Sequence, residues 1–263
     1  MLPDLFPDYL KFTSIRGECE SKRKADLSEQ CWMYPTTILP LSNFLRDSKL
    51  EFVEPKNRSL AGYIDHITTQ GEGFCNVGKT YMPLTSLPQD RGKAKTILEE
   101  LFRLPNIGKG CGGEMAFKYM VSELVDNIYE HSHFTHANLL AQKYPRKNFV
   151  DISIYDNGIS IPGSFEKIGL KGFEDYDALI EAINGLSSKD VERGFGLRSC
   201  LNIFTKGLKG IFLLVSRNGA LSARNGDVRA YKFQNCHKLN GTLITIRIPV
   251  TSAKVNIYEY VGN

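Results

Sequence analysis

The segment from Glu114 to Ser132 constrains the fold most, because its apolar residues recur with the period of an α-helix. These apolar residues are Phe117, Met120, Val121, Leu124, Val125 and Ile128. Their spacing predicts one long helix. Within this run Glu123 and Asn127 are four residues apart, so the helix places both side chains on one face. A carboxylate and a carboxamide are thus brought together on an otherwise apolar element.

Shorter patterns on both sides predict further helices and strands. Helices are expected at residues 60–67, 93–102, 175–184 and 197–204, and strands at 50–53, 149–155, 211–216, 229–234 and 242–249. Residues 36–41 are predicted to form a strand that runs into a helix at 42–48. This mixture predicts an α/β fold. Residues 88–92 are typical of a linker, so we expect a small α/β domain at 1–92 and a second domain at 93–263.

Composition and charge limit the kinds of protein that this chain can be. With 263 residues, 42% of them hydrophobic and 24% charged, the chain can bury a core and is not expected to be disordered throughout. The net charge of +4 is too small to indicate nucleic acid or a membrane as the partner. No run of 18 apolar residues is present, and the opening MLPDLFPDYLKF lacks the pattern of a signal peptide. The six scattered cysteines are typical of reduced thiols, so we expect a cytoplasmic protein.

One nucleotide-binding motif lies at residues 73–80, where GFCNVGKT satisfies the phosphate-loop pattern G-x-x-x-x-G-K-[ST]. In such a loop Lys79 and Thr80 would reach phosphates and Mg²⁺. The flanking sequence does not favour this interpretation. Residues 65–72 are too polar for a buried parallel strand, and Pro83 and Pro88 leave no room for a full helix after Lys79. A turn between short strands is the simpler interpretation, and the phosphate loop is the alternative.

A second nucleotide-binding signal is distributed over four segments, of which the long helix is the first. The Glu123 carboxylate can deprotonate a water, and the Asn127 carboxamide oxygen suits Mg²⁺. The second segment begins at Asp156, which the predicted strand 149–155 delivers to a turn. There its carboxylate can accept a hydrogen bond from an exocyclic amino group such as that of adenine. Gly158 lets the backbone come close, and Ile161 could lie beneath a flat ring.

The other two segments supply a candidate phosphate site and a hydroxyl. Gly194 and Gly196 precede the predicted helix 197–204, where unpaired backbone N–H groups and the helix dipole attract anions. Residues 189–232 carry nine basic and three acidic residues, which suits a phosphate ligand. Thr242 opens the last predicted strand, where its hydroxyl could reach a base or its water.

The order and spacing of these segments resemble the N box and the three glycine boxes of the GHKL ATPases. That superfamily includes gyrase B, heat-shock chaperones, histidine kinases and MutL. The resemblance covers residues 112–250. It implies a Bergerat fold, an α/β sandwich whose mixed sheet is covered by helices on one face, with ATP between the long helix and a mobile lid. Residues 32–88 resemble the STAS-like domain that precedes some GHKL modules.

The resemblance also implies a role for each matching residue. Glu123 would be the water-activating base, Asn127 the Mg²⁺ ligand and Asp156 the adenine reader, supported by Thr242. The other members of the site would be Gly158 and Ile161 in the adenine pocket, and Gly194, Gly196 and Leu197 in the lid. One position departs from the family pattern D-x-G-x-G, because Ser160 stands where the second glycine belongs. We expect its Cβ to tighten the adenine pocket.

Taken together, the resemblance implies Mg²⁺-dependent ATP binding with slow hydrolysis, coupled to lid closure and to a protein partner. Two alternatives stay open at this point: an ATP-gated binding module without hydrolysis, and an anti-sigma-like kinase that phosphorylates a protein serine. His131, His133 and His136 could be interpreted as a metal cluster. Residues two apart on a helix point away from each other, so a polar helix end is favoured. Nucleic acid is not indicated, since no aromatic-basic stripe is present.

Overall fold

The computed structural model describes residues 2–69, 80–103, 110–186, 196–251 and 254–260. Within these residues the predicted α/β class is confirmed, since a seven-stranded sheet is packed between helices. The strands lie in the order β3-β4-β5-β9-β6-β7-β8. Their bounds are β3 Tyr81–Ser86, β4 Ala137–Tyr144, β5 Phe149–Asp156, β6 Ile211–Arg217, β7 Gly219–Arg224, β8 Asp227–Lys232 and β9 Leu239–Pro249. Two short strands, β1 Lys24–Asp26 and β2 Glu51–Val53, form a separate parallel pair.

The strand directions in the seven-stranded sheet differ from the expectation. Every neighbouring pair in it is antiparallel, whereas a mixed sheet was predicted. Short connections account for three of the six neighbouring pairs, because β4 to β5, β6 to β7 and β7 to β8 follow one another along the chain with few residues between them. Such connections reverse the chain direction, while parallel neighbours need a long crossover.

The helices that follow β3 along the chain cover one face of the sheet. They are α4 Arg91–Arg103, α5 Glu114–Asn127, α6 Ser160–Lys167, α7 Asp175–Ile183 and α8 Gly196–Asn202. The predicted long helix is confirmed as α5, which continues as a π-helical turn at Ile128–Ser132. Its apolar face is buried in the core together with Ile152 and Ile154 of β5. This packing holds the polar residues of α5 close to the sheet.

The opposite face of the sheet is covered by α1 Phe6–Lys22 and α2 Pro35–Ser48, so helices lie on both faces and the expectation of helices on one face is wrong. The predicted strand at residues 36–41 is wrong, because these residues belong to α2. Residues 36–41 are buried without interruption, the polar Thr36 and Thr37 included, so no exposed position marks the helical period there. A short apolar run of this kind does not distinguish a strand from a buried helix. The helix predicted at 60–67 is confirmed as α3, Arg58–Thr69.

A buried ion pair ties the N-terminal helix to the sheet. The Arg247 guanidinium of β9 donates to both carboxylate oxygens of Asp151 on β5, at 2.7 and 2.8 Å, and to Asp8 of α1 at 3.1 Å. The same guanidinium lies 4.6 Å from the ring centre of Tyr34 and 4.7 Å from that of Phe149.

The first 92 residues contribute β3 to the sheet and two helices, α1 and α2, to its second face. The domain boundary at residue 92 and the STAS-like resemblance stay predictions.

Candidate functional site

A cavity opens between α5, α6, α8 and the adjoining ends of β5 and β9. It encloses about 770 Å³ of space free of atoms, part of it open to solvent. Six of the residues proposed from the sequence line it, namely Asn127, Asp156, Ile161, Gly196, Leu197 and Thr242. Residues far apart in the chain are therefore brought to one place.

Asp156 is the buried carboxylate of this cavity. It is the last residue of β5, it is only 3% exposed, and it lies opposite Thr242 of β9 in the antiparallel register. Its Oδ1 accepts a hydrogen bond from the Gly158 backbone N–H at 2.9 Å. Burial raises the pKa of Asp156 to about 7, against the lowering effect of that hydrogen bond. The site thus holds a carboxylate that changes its protonation state near neutral pH.

Gly158 lies behind the cavity wall instead of lining it. A Cβ atom at this position would overlap the carbonyl oxygen of Ser132, at the end of the π-helical turn. The same carbonyl accepts a hydrogen bond from the N–H of Ile159 at 2.7 Å. Gly158 therefore allows the turn after β5 to pack directly on the end of the long helix.

Ser160 occupies the position where the family pattern has glycine. Its φ is +75°, in the left-handed region where residues other than glycine are uncommon. The Ser160 hydroxyl accepts a hydrogen bond from the N–H of Gly163 at 3.2 Å and also donates to the carbonyl of Ile159. These two local bonds hold the serine in a backbone conformation that glycine would adopt more easily. Ser160 also lines the cavity. That its Cβ tightens an adenine pocket stays a prediction.

Asn127 and Glu123 lie one helical turn apart on α5. Asn127 lines the cavity, and its Nδ2 is buried without a hydrogen-bond partner among the described residues. Glu123 reaches the N-terminal end of α8, because its Oε2 lies 2.5 Å from the position that a Cβ atom on Gly196 would take. Glycine at residue 196 therefore lets the carboxylate approach the backbone there.

Ser216 is a member of the site that sequence reasoning missed. It is fully buried on β6, opposite Thr242 in the register with β9. Its hydroxyl donates to the carbonyl of Gly241 at 3.0 Å, accepts from the N–H of Ile161 at 3.1 Å and lies 3.1 Å from the Thr242 hydroxyl. Only the register of two distant segments reveals this contact, so no local pattern could have found it.

Other lining residues were also absent from the prediction. The apolar ones are Leu124, Ile128, Phe165, Ala182, Leu186 and Ile244, and the polar ones are His131, Ser132 and Ser164. Leu124, Asn127, Ile128 and His131 recur at the i, i+3, i+4 and i+7 positions of a helix, which was the available sequence signal. The Ser132 hydroxyl is buried and, like Asn127 Nδ2, has no partner among the described residues.

Some sequence hypotheses fall outside the described residues. Gly194 does so, as do residues 73–79 of the phosphate-loop motif.

Within the described ranges, no cluster of three or more His, Cys, Asp or Glu side chains could hold a metal ion. His133 Nε2 instead lies 2.7 Å from the Lys167 ammonium. None of the described helices is long and apolar enough to span a membrane.

No protein-family model matches this chain, and a search of curated proteins also found no match.

Proposed function

We propose that this chain binds ATP together with Mg²⁺ in the cavity between α5, α6 and α8. The observation that carries the proposal is the convergence at one cavity of Asn127, Asp156 and Thr242, three polar residues from separate segments. The order and spacing of those segments resemble the nucleotide-binding boxes of GHKL ATPases.

The adenine ring would lie at the Asp156 end of the cavity. Asp156 and Thr242 supply polar atoms there, while Leu124, Ile161 and Ile244 supply apolar contacts for a flat ring. A pocket with apolar walls and a few placed polar groups is typical of small-molecule sites. The exocyclic amino group of adenine would donate a hydrogen bond to the Asp156 carboxylate.

Asn127 fits the metal and phosphate end of the ligand. Its buried Nδ2 needs an acceptor, and a phosphate oxygen is a strong one. Its Oδ1 is the kind of ligand that Mg²⁺ accepts alongside phosphate oxygens and water. A bound Mg²⁺ would neutralise phosphate charge and would need few protein ligands. The lack of an acidic cluster among the described residues is therefore compatible with Asn127 as a Mg²⁺ ligand.

Glu123 would act as the base that takes a proton from the attacking water, which makes slow hydrolysis the expected chemistry. Its carboxylate is one turn from Asn127 and reaches Gly196, another cavity residue. Coupling of ATP to lid closure and to a protein partner stays a prediction, since residues 187–195 lie outside the described ranges.

Calorimetric titration of the full chain with ATP tests the proposal. We expect saturable binding of one ATP per chain, stronger with Mg²⁺ than with a chelator present. Separation of ADP and phosphate from the same samples would then report hydrolysis. Absence of saturable binding at about 1 mM ATP, with or without Mg²⁺, would refute the proposal.

A further inference from the structure

The hydroxyl of Ser216 is saturated with hydrogen bonds directly behind the cavity wall. A serine hydroxyl has one proton to donate and two lone pairs that accept. Ser216 donates to the Gly241 carbonyl, which can only accept, and it accepts from the Ile161 N–H, which can only donate. One lone pair of Ser216 therefore remains for its contact with Thr242.

This count assigns a direction to the hydrogen bond between the two hydroxyls. With the Ser216 proton given to the Gly241 carbonyl, which can only accept, we assign the Thr242 hydroxyl as the donor across the 3.1 Å that separates the two oxygens. The Thr242 proton is then turned away from the cavity. Its remaining lone pairs act as acceptors, and Thr242 lines the cavity beside Asp156.

Above pH 7, where Asp156 is ionised, the cavity consequently offers acceptors at both residues. The Gly158 N–H, a nearby donor, is already used by Asp156 Oδ1. A ligand amino group satisfies two acceptors with its two hydrogens, whereas an oxo group at the same place would face oxygen atoms. Sites built to pair with a donor reject analogues that lack it, because buried polar groups are left unpaired.

We propose that Ser216 is a positioning residue that makes Thr242 an acceptor and thereby favours a 6-aminopurine over a 6-oxopurine ligand. The inference rests on the proposed function, since it concerns the base of the nucleotide that the cavity would bind. Ser216 itself does not touch the ligand. It acts through Thr242, and through Ile161, whose N–H it holds.

The same sheet provides a matched control for a purely structural role. Ser153 of β5 and Thr245 of β9 form another buried hydroxyl pair, with 2.8 Å between their oxygens. Neither residue lines the cavity. Ser153→Ala thus removes a buried cross-strand hydroxyl without touching the candidate site.

The experiment measures, at pH 8 where Asp156 is ionised, the affinities of ATP and of inosine triphosphate, its 6-oxo analogue, for four proteins. These are the wild type, Ser216→Ala, Ser153→Ala and Thr242→Val. We expect the wild type to prefer ATP, and Ser216→Ala to reduce the ratio of the two affinities about 5- to 50-fold. Thr242→Val, which removes the acceptor and keeps the shape, should reduce the ratio similarly, and Ser153→Ala should leave it unchanged.

The outcomes separate this inference from the proposed function. If the wild type binds neither nucleotide, the proposed function fails. If the wild type binds ATP and both Ser216→Ala and Thr242→Val keep the wild-type ratio, the inference is overturned while ATP binding stands. An equal fall of the ratio in Ser153→Ala would also overturn it, because general loosening of the sheet would then explain the effect. Should Ser216→Ala not fold, Thr242→Val decides by the same ratio.

Discussion

Gly241 packs so closely on Asp156 that a Cβ atom at residue 241 would overlap the Asp156 carbonyl oxygen. Gly241 also has a φ of +90°, a backbone conformation that L side chains rarely adopt. The contact joins the end of β5 to the start of β9, next to the buried carboxylate. Two independent requirements for glycine therefore meet at the wall of the cavity.

Comparing Gly241→Ala with a second glycine variant separates the cost of the steric overlap from the cost of the backbone conformation. Gly169 is the matched control, because its φ is +87° and no atom lies within 4 Å of its expected Cβ. We expect Gly241→Ala to lower the free energy of unfolding by about 1–3 kcal/mol more than Gly169→Ala does, since only residue 241 adds an overlap. Urea unfolding of the two variants measures the difference. Equal losses would show that β9 relieves the overlap at no cost.

Asp156→Asn should stabilise the protein above neutral pH. Burial raises the pKa of Asp156 from 3.8 to about 7, so the folded state keeps a proton that the unfolded chain releases between these values. The stability contribution is therefore full below about pH 4 and is lost as the pH rises through 7. Asparagine does not titrate, yet it still offers an acceptor to Gly158.

The expected gain from Asp156→Asn is about 2–4 kcal/mol in the free energy of unfolding at pH 8, and near zero at pH 4. Denaturant unfolding at several pH values measures it. Asp47→Asn, at an exposed carboxylate, is the control and should show no such trend. A variant that is less stable than the wild type at pH 8 would contradict the argument.

The elements around this site were predictable to different degrees for physical reasons. Local periodicity in the sequence predicts helix α5 and strand β5, which carry Asn127 and Asp156. Helix α2 was predicted in part as a strand because residues 36–41 are buried throughout and show no period. Ser216 could not be found, since its role depends on the register between β6 and β9. Register between distant segments is a tertiary property.

The pH dependence of ATP affinity tests whether Asp156 meets the base. A donor from the ligand favours the ionised carboxylate, so binding below pH 7 includes the cost of removing the Asp156 proton. We expect wild-type affinity, relative to Asp156→Asn, to fall by up to about tenfold per pH unit below pH 7. At pH 8 the variant should bind ATP about 5- to 150-fold more weakly. Titration of the ATP phosphates affects both proteins alike and cancels in this comparison. If the ratio of the wild-type affinity to the Asp156→Asn affinity does not change with pH, Asp156 does not contact the base.

Asn127→Ala and Lys79→Ala set the two nucleotide-binding hypotheses against each other. If the cavity binds the nucleotide, Asn127→Ala should abolish the Mg²⁺ dependence of ATP binding, because a carboxamide that Mg²⁺ accepts is lost. Lys79→Ala should leave affinity within a few-fold of the wild type. Calorimetry with Mg²⁺ and with a chelator measures both. The reverse pattern would favour the phosphate loop at residues 73–80 and refute the cavity.

Glu123→Gln should keep ATP binding while it lowers hydrolysis about 10²–10⁴-fold, the usual contribution of a positioned general base. Glutamine keeps the shape of the side chain that approaches Gly196, so the effect reports the lost base and not a changed packing. Glu123 and Asn127 are separated by one turn, about 6 Å along the helix axis, which leaves room for a water between the carboxylate and a phosphate held at Asn127.

Glu130→Gln is the control for Glu123→Gln, because Glu130 lies on the following turn and pairs with Arg91. If the wild type binds ATP but turns over no faster than Glu123→Gln, hydrolysis is not its activity, and an ATP-gated binding module becomes the better description of the chain.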